Sequence, residues 1–240
     1  MGGRSSYDGP SVRWDFDPAA IARAESDAWV TYYRHEWARM LSASVRLVHH
    51  GFRMNPANTL LGAWYVLRAN MKWAPYPDND PEGATEEMRR FFGLVIRPDT
   101  PDRNARTAAV REVAWWRAHR EHQHRYVDEP SHTPVARPDS EPGPTATSAL
   151  TTSTPASGEP RELVEALAES YAYVYQVGVE SVREAARLRA EAMDVSDVWV
   201  AAGRDREDVL LARERQLLMQ SYTALRDAVR KSVPPGSGNP

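Results

Sequence analysis

The stretch EVAWWRAHREHQH, Glu112–His124, sets two adjacent tryptophans among three histidines and two glutamates. Carboxylates and imidazoles are the side chains that shuttle protons near neutral pH or ligate metals, so their spacing bounds the chemistry. Glu121 and His124 form E-x-x-H, the step that di-iron carboxylate bundles use on each of two helices. His119 and His122 are also three apart, as a metal pair on one helix face would be. Helical phase separates these candidates. Residues advance by about 100° each. Ala105, Ala108, Ala109, Glu112, Trp115, Trp116, Gln123 and Tyr126 then share a side with His119. Arg103, Arg106, Arg117, Glu121, His124 and Arg125 fall opposite. Glu121 and His124 therefore read as solvated, and no second helix repeats their motif. Glu112 and His119 read as turned inward, but they lie about 10 Å apart along the axis and cannot share one ion.

Two further segments offer ionisable groups on apolar stripes. Around Trp29 cluster Ala22, Glu25, Tyr32, Tyr33, Glu36, Met40, Ala43 and Leu47. Arg68 falls on the face made by Leu60, Leu61, Trp64, Leu67 and Met71. Unpaired buried charge is costly, so these groups should meet one another. The structural expectation is an ion network around Arg68, with Glu36 or Glu112 as its partner. The functional expectation is a polar-aromatic pocket, with Glu36, Glu112 and His119 as catalytic candidates and Arg68, Trp116 and Tyr33 as binding residues. A third reading makes one of the faces an interface. No metal site is assigned and no cofactor is named. The aromatic surround would suit haem or a redox centre, yet tryptophans at helical spacing serve a core equally well.

Composition narrows the classes. The chain has 240 residues, net charge −3 and no cysteine, with a pI near 6.2. Disulfides and Cys-based metal sites are excluded, and a general nucleic-acid binder is not expected. No apolar run is long enough to span a membrane. The opening MGGRSSYDGP lacks the apolar core of a signal peptide, so a cytoplasmic location is expected. DNDPEG, Asp78–Gly83, mimics the start of a calcium loop, but Arg89 stands where the bidentate glutamate belongs. There is no G-x-S-x-G, Walker or dinucleotide fingerprint. Six of seven histidines and seven of eight tryptophans precede residue 128, which makes the first half the place to look for chemistry.

The elements that would position these residues read as all-α, since no segment sustains strand alternation. Helices are expected over Pro18–His50, Pro56–Trp73, Pro81–Ile96 and Pro101–Tyr126, a four-helix unit. Three more follow over Arg161–Gln176, Glu180–Ala202 and Asp205–Ser232. Asp128–Pro160 is Pro/Ser/Thr-rich with almost no large apolar side chain and reads as a disordered linker. The organisation is thus a tail over 1–17, a Trp/His-rich bundle over 18–127, the linker over 128–160, a three-helix region over 161–232 and a tail over 233–240. SDAWV at Ser26–Val30 recurs as SDVWV at Ser196–Val200, but the flanks fall out of register, so two amphipathic helices sharing a string is the reading.

The strings YYRHEW, LLGAWYVLRANMKWAPYPDNDPEGA, WWRAHRE and SDVWV resemble uncharacterised actinobacterial helical proteins. The resemblance covers both helical regions but not the linker, and it implies a helical fold and no activity. The function expected is a binding or scaffold protein with an accessory or assembly role, meeting a protein partner or itself. The alternative is a metal- or haem-dependent oxidoreductase, or another cofactor binder, using the pocket in the N-terminal bundle.

Overall fold

The computed structural model describes residues 16–96, 104–128 and 161–232, with side chains in the middle stretch described to His124. Among these residues the fold is all-α: α1 Pro18–Tyr33, α2 Trp37–Phe52, α3 Pro56–Trp73, α4 Pro81–Val95, α5 Ala105–Asp128, α6 Arg161–Tyr175, α7 Val179–Ala201 and α8 Leu210–Ser232. Residues 129–160, which hold nearly all of the expected linker, lie outside the described residues, as do both expected tails beyond Phe16 and Ser232. No helix among the described residues is long and apolar enough to cross a membrane.

Three helices start on a side-chain cap followed by proline, which lacks the N–H that a first turn cannot use. Asp17 accepts from the Ala19 N–H at 2.9 Å, Asn55 from Asn58 at 2.9 Å and Asp80 from Gly83 at 2.7 Å. Asn104 caps α5 by accepting from the Thr107 N–H at 2.8 Å, and the expected start at Pro101 lies outside the described residues. α8 opens at Leu210 instead of Asp205, because Asp208 accepts from the Leu210 N–H and the Asp205 carbonyl is taken by the Trp199 indole N–H at 2.6 Å.

The expected helix over Pro18–His50 is two helices. His35 adopts φ +55 in the left-handed region, and the Glu36 N–H reaches back to the Thr31 carbonyl at 2.8 Å. The turn contains neither glycine nor proline, so the usual sequence punctuation for a break is missing.

Each helix packs on the next in sequence, and α8 packs on α1. The eight helices therefore close into a ring. One hydrophobic core runs through it, from Ile21 and Val48 through Phe91, Trp116 and Leu167 to Leu225. Helices on both sides of residues 129–160 contribute to that core. A small satellite cluster of Val30, Trp199 and Leu211 sits beside it.

α3 corrects a second expectation. Its inward side is Thr59, Gly62, Ala63, Leu67, Ala69 and Trp73. The stripe expected to face the core is mostly outside: Leu60 is 58% exposed, Trp64 44% and Met71 43%. Small residues let α3 approach its neighbours closely, with Phe91 of α4 within 3.3 Å of where a Gly62 Cβ would stand. The bulky side chains are left on the solvent side.

Candidate functional site

Within the ring lies a partly open cavity of about 220 Å³ to which all eight helices contribute. Its wall is mainly aromatic and aliphatic: Trp29 and Tyr33 from α1, Trp73 from α3, Phe91 and Phe92 from α4, and Trp115 and Trp116 from α5. The indoles of Trp73 and Trp116 meet edge-on at 5.8 Å, and those of Trp115 and Trp116 at 6.0 Å. Edge-to-face contacts of this kind fix the rings against one another beyond what area burial alone provides.

One part of the wall is charged. Arg189 on α7 pairs with Glu25 on α1, and both are buried. The Tyr222 hydroxyl on α8 donates to the other Glu25 oxygen at 2.7 Å. The Arg189 guanidinium stacks 4.6 Å from the centre of the Trp115 ring. Charge at this depth is tolerated because each group finds an opposite charge, a hydroxyl or an aromatic face. Burial, reinforced by the Glu25 carboxylate, pushes the Tyr222 hydroxyl well above its ordinary range. Burial likewise raises Tyr171, against the pull of Arg189.

Glu112 stands on the same wall, and Ser170 of α6 donates to it at 3.2 Å. Burial raises its carboxyl above the ordinary range; the Arg189 charge and the Ser170 hydroxyl pull it back only in part. Arg189 acts on it at a distance, since its ion-pair contact goes to Glu25. Protonated, Glu112 can donate a hydrogen bond into the cavity; ionised, it can accept one or hold a cation.

Two hydroxyls on the wall, Ser44 of α2 and Ser196 of α7, are almost wholly buried and have no hydrogen-bond partner. Arg120 also borders the cavity. It donates to the Tyr32 hydroxyl at 3.2 Å and the Trp73 carbonyl at 3.3 Å, and lies over the rings of Trp73 and Tyr76.

From the cavity's edge outward, α5 and α7 zip together through two histidine–aspartate pairs. His119 meets Asp197 at 3.1 Å and His122 meets Asp194 at 2.9 Å, with Gln123 also donating to Asp197 at 2.7 Å. The three-residue step on one helix matches that on the other. The histidines serve separate carboxylates, and no group of three or more His, Asp or Glu side chains among the described residues could hold a metal ion.

On α8, beside Glu25, Glu214 is fully buried. Neither of its oxygens is in hydrogen-bond geometry, although Ser26 lies close. Burial pushes its carboxyl up to about 8; Ser26 and Arg215 pull down, and Glu25 and Asp27 push further up.

The sequence candidates divide. Glu112, His119, Trp116 and Tyr33 all line the cavity. Glu36 does not: the break after Tyr33 turns it to the N-cap of α2, where it pairs with Arg34 at 2.8 Å, Arg39 at 3.0 Å and Arg206. The Arg34 hydrogen bond, ahead of those of its other arginines, holds its carboxyl at about 2. Arg68 does not line the cavity either. It pairs at 2.9 Å with Glu87, a buried carboxylate of α4, and is itself 42% exposed. The expected pairing of Arg68 with Glu36 or Glu112 is therefore replaced by one with α4, because α3 turns that face outward. Glu121 is exposed as expected, and His124 is half-buried, its ring stacked on the exposed Tyr76 at 4.4 Å. The residues missed are Arg189, Tyr171, Tyr222 and Glu214. Arg189 had a signal, since it interrupts the stripe Val182, Ala185, Ala186, Met193 on α7.

No family model matches the chain, and no curated protein and no solved structure is detectably similar to it. The site stands on its own geometry.

Proposed function

We propose that this chain is a binding protein for a small, mainly apolar molecule held in the central cavity. The observation that carries the reading is a partly open, aromatic-walled space of about 220 Å³ among the eight helices, with a few polar groups fixed on one wall. Small-molecule sites have this constitution: apolar walls for affinity and few polar groups for orientation. An apolar cavity of about 150 Å³ accepts benzene, so the occupant here has about ten non-hydrogen atoms. This reading keeps the polar-aromatic pocket of the alternative sequence reading rather than its leading scaffold role, and it assigns no catalytic step.

Calorimetric titration with indole tests it. Saturable binding is expected, and Ala28→Leu, which places a side chain in the cavity, should abolish it. Ala28 borders the cavity on α1. Absence of saturable binding, or binding unaffected by Ala28→Leu in a folded protein, refutes the reading.

The exposed α3 stripe of Leu60, Leu61, Trp64 and Met71 favours a second role, docking of a protein partner or a second copy, as the sequence reading expects. Exposed apolar patches of this kind mark contact surfaces in soluble proteins. Sedimentation velocity on wild type and Trp64→Ser separates self-association from a foreign partner.

A further inference from the structure

Charge on the cavity wall is unbalanced in a particular place. Two carboxylates, Glu25 and Glu112, border the space beside one interior guanidinium, Arg189. Glu25 takes that guanidinium as an ion pair and receives the Tyr222 hydroxyl as well. Glu112 is left with the Ser170 hydroxyl at 3.2 Å, neighbouring indoles and a guanidinium already neutralised by another partner. The other guanidinium on the wall, Arg120, is eight residues along α5 from Glu112, about 12 Å along the axis. It is held by Tyr32 and Trp73, between the rings of Trp73 and Tyr76. The wall around Glu112 thus offers a carboxylate with no cation of its own, beside the indoles of Trp115 and Trp116.

We infer that the molecule held in this cavity is an organic ammonium ion, an arylalkylamine of about ten non-hydrogen atoms, with its nitrogen at Glu112 and its ring among the tryptophans. The inference rests on the cavity being a ligand site. An ammonium completes the missing ion pair at a half-buried carboxylate, and aromatic rings on the wall attract cations as well. A carboxylate ligand would meet two carboxylates there and is disfavoured. A neutral alcohol of the same shape fits the space but leaves Glu112 without a counter-charge.

Linkage adds a signature. Burial raises the Glu112 carboxyl, so it holds a proton to higher pH than an ordinary glutamate. An arriving ammonium displaces that proton, so affinity rises with pH until Glu112 is ionised without help. Other groups face this end: Glu25 on α1, His119 on α5, Tyr171 and Tyr175 on α6, Arg189 on α7 and Tyr222 on α8. The tyrosines are raised above their ordinary range and stay neutral below pH 8. Glu214, beside Glu25, titrates in the same window. A variant lacking only the Glu112 carboxylate is therefore the control.

Three ligands of one shape make the test: 2-phenylethylammonium, 2-phenylethanol and phenylacetate, titrated calorimetrically into the full chain at pH 5, 6, 7 and 8. The expected result is ammonium binding at least tenfold tighter than the alcohol at pH 7, with phenylacetate weakest. The ammonium constant should tighten from pH 5 upward while the alcohol's stays flat. Glu112→Gln, with folding verified by its thermal melt, should erase both the preference and the pH slope, and Glu112→Asp should restore part of each. Equal binding of ammonium and alcohol, or a preference that survives in Glu112→Gln, overturns the ammonium assignment and leaves the cavity reading intact. Failure of all three to bind overturns both.

Discussion

Replacing Glu214 by glutamine keeps the shape of a fully buried side chain and removes its ability to ionise. The folded protein holds this carboxyl at about 8 against an ordinary value of 4.5. Between those values the native state keeps a proton that the unfolded chain releases. Stability is therefore complete below about pH 4.5 and is lost as pH rises toward 8. Linkage over the two values gives a loss of about 0.8 kcal/mol at pH 5 and about 4 kcal/mol at pH 8. Glu112 is shifted in the same direction, so the wild-type profile alone would mix the two groups. The difference between wild type and Glu214→Gln isolates one of them. Urea unfolding of both proteins at pH 5, 6, 7 and 8 is the assay. Near pH 5 the two should agree to within about 1 kcal/mol, and by pH 8 the variant should have gained about 3.5 kcal/mol on wild type. Parallel profiles, or a variant that loses ground as pH rises, would show that Glu214 is ionised or solvated in the folded protein and would refute the reasoning.

Arg189→Met leaves Glu25 buried without its counter-charge and should cost about 3–5 kcal/mol in thermal or urea unfolding; a loss under 1 kcal/mol would mean that Tyr222 alone suffices. Leu67→Ala, on the inward side of α3, should cost about 2–5 kcal/mol, while Trp64→Ser on the outward side should stay within about 0.5 kcal/mol; the reverse order in thermal melts would restore the original face assignment. A protease site inserted between residues 129 and 160 should give, after cleavage, two pieces that co-elute on size exclusion and separate only in denaturant, because α1 packs on α8 and α5 on α6. Separate elution of the pieces would show that the ring is not a single cooperative body.

Helix type and several helix starts were legible because their determinants are local. Asn55-Pro56 and Asp80-Pro81 announce caps within two residues, and the apolar phase of α5 correctly turned Glu112, Trp116 and His119 inward. What escaped depends on partners far along the chain. On α3 the larger apolar side chains suggested the inner face, but close approach by neighbouring helices favoured Gly62 and Ala63 instead. The break at His35 rests on a left-handed residue that no glycine marks. Arg68 was assigned to the interior network because it was the basic residue visible on an apolar stripe. The arginine that fills that role, Arg189, lies 164 residues from its partner Glu25, and helical phase within one segment carries no information about such a pairing. Confining the pocket to the first half failed for the same reason, since Tyr171, Arg189 and Tyr222 complete its wall from the second.

Closure of the ring by α1 and α8 has a consequence for synthesis on the ribosome. Glu25 waits for Tyr222, 197 residues later. At about 5–20 residues per second that interval is on the order of 10–40 s. Throughout it, α1 lacks the helix that packs on it, and a carboxylate destined for the interior remains in water. The ring can therefore close only after the last helix has emerged, so its closure is a late, long-range event in the making of this chain.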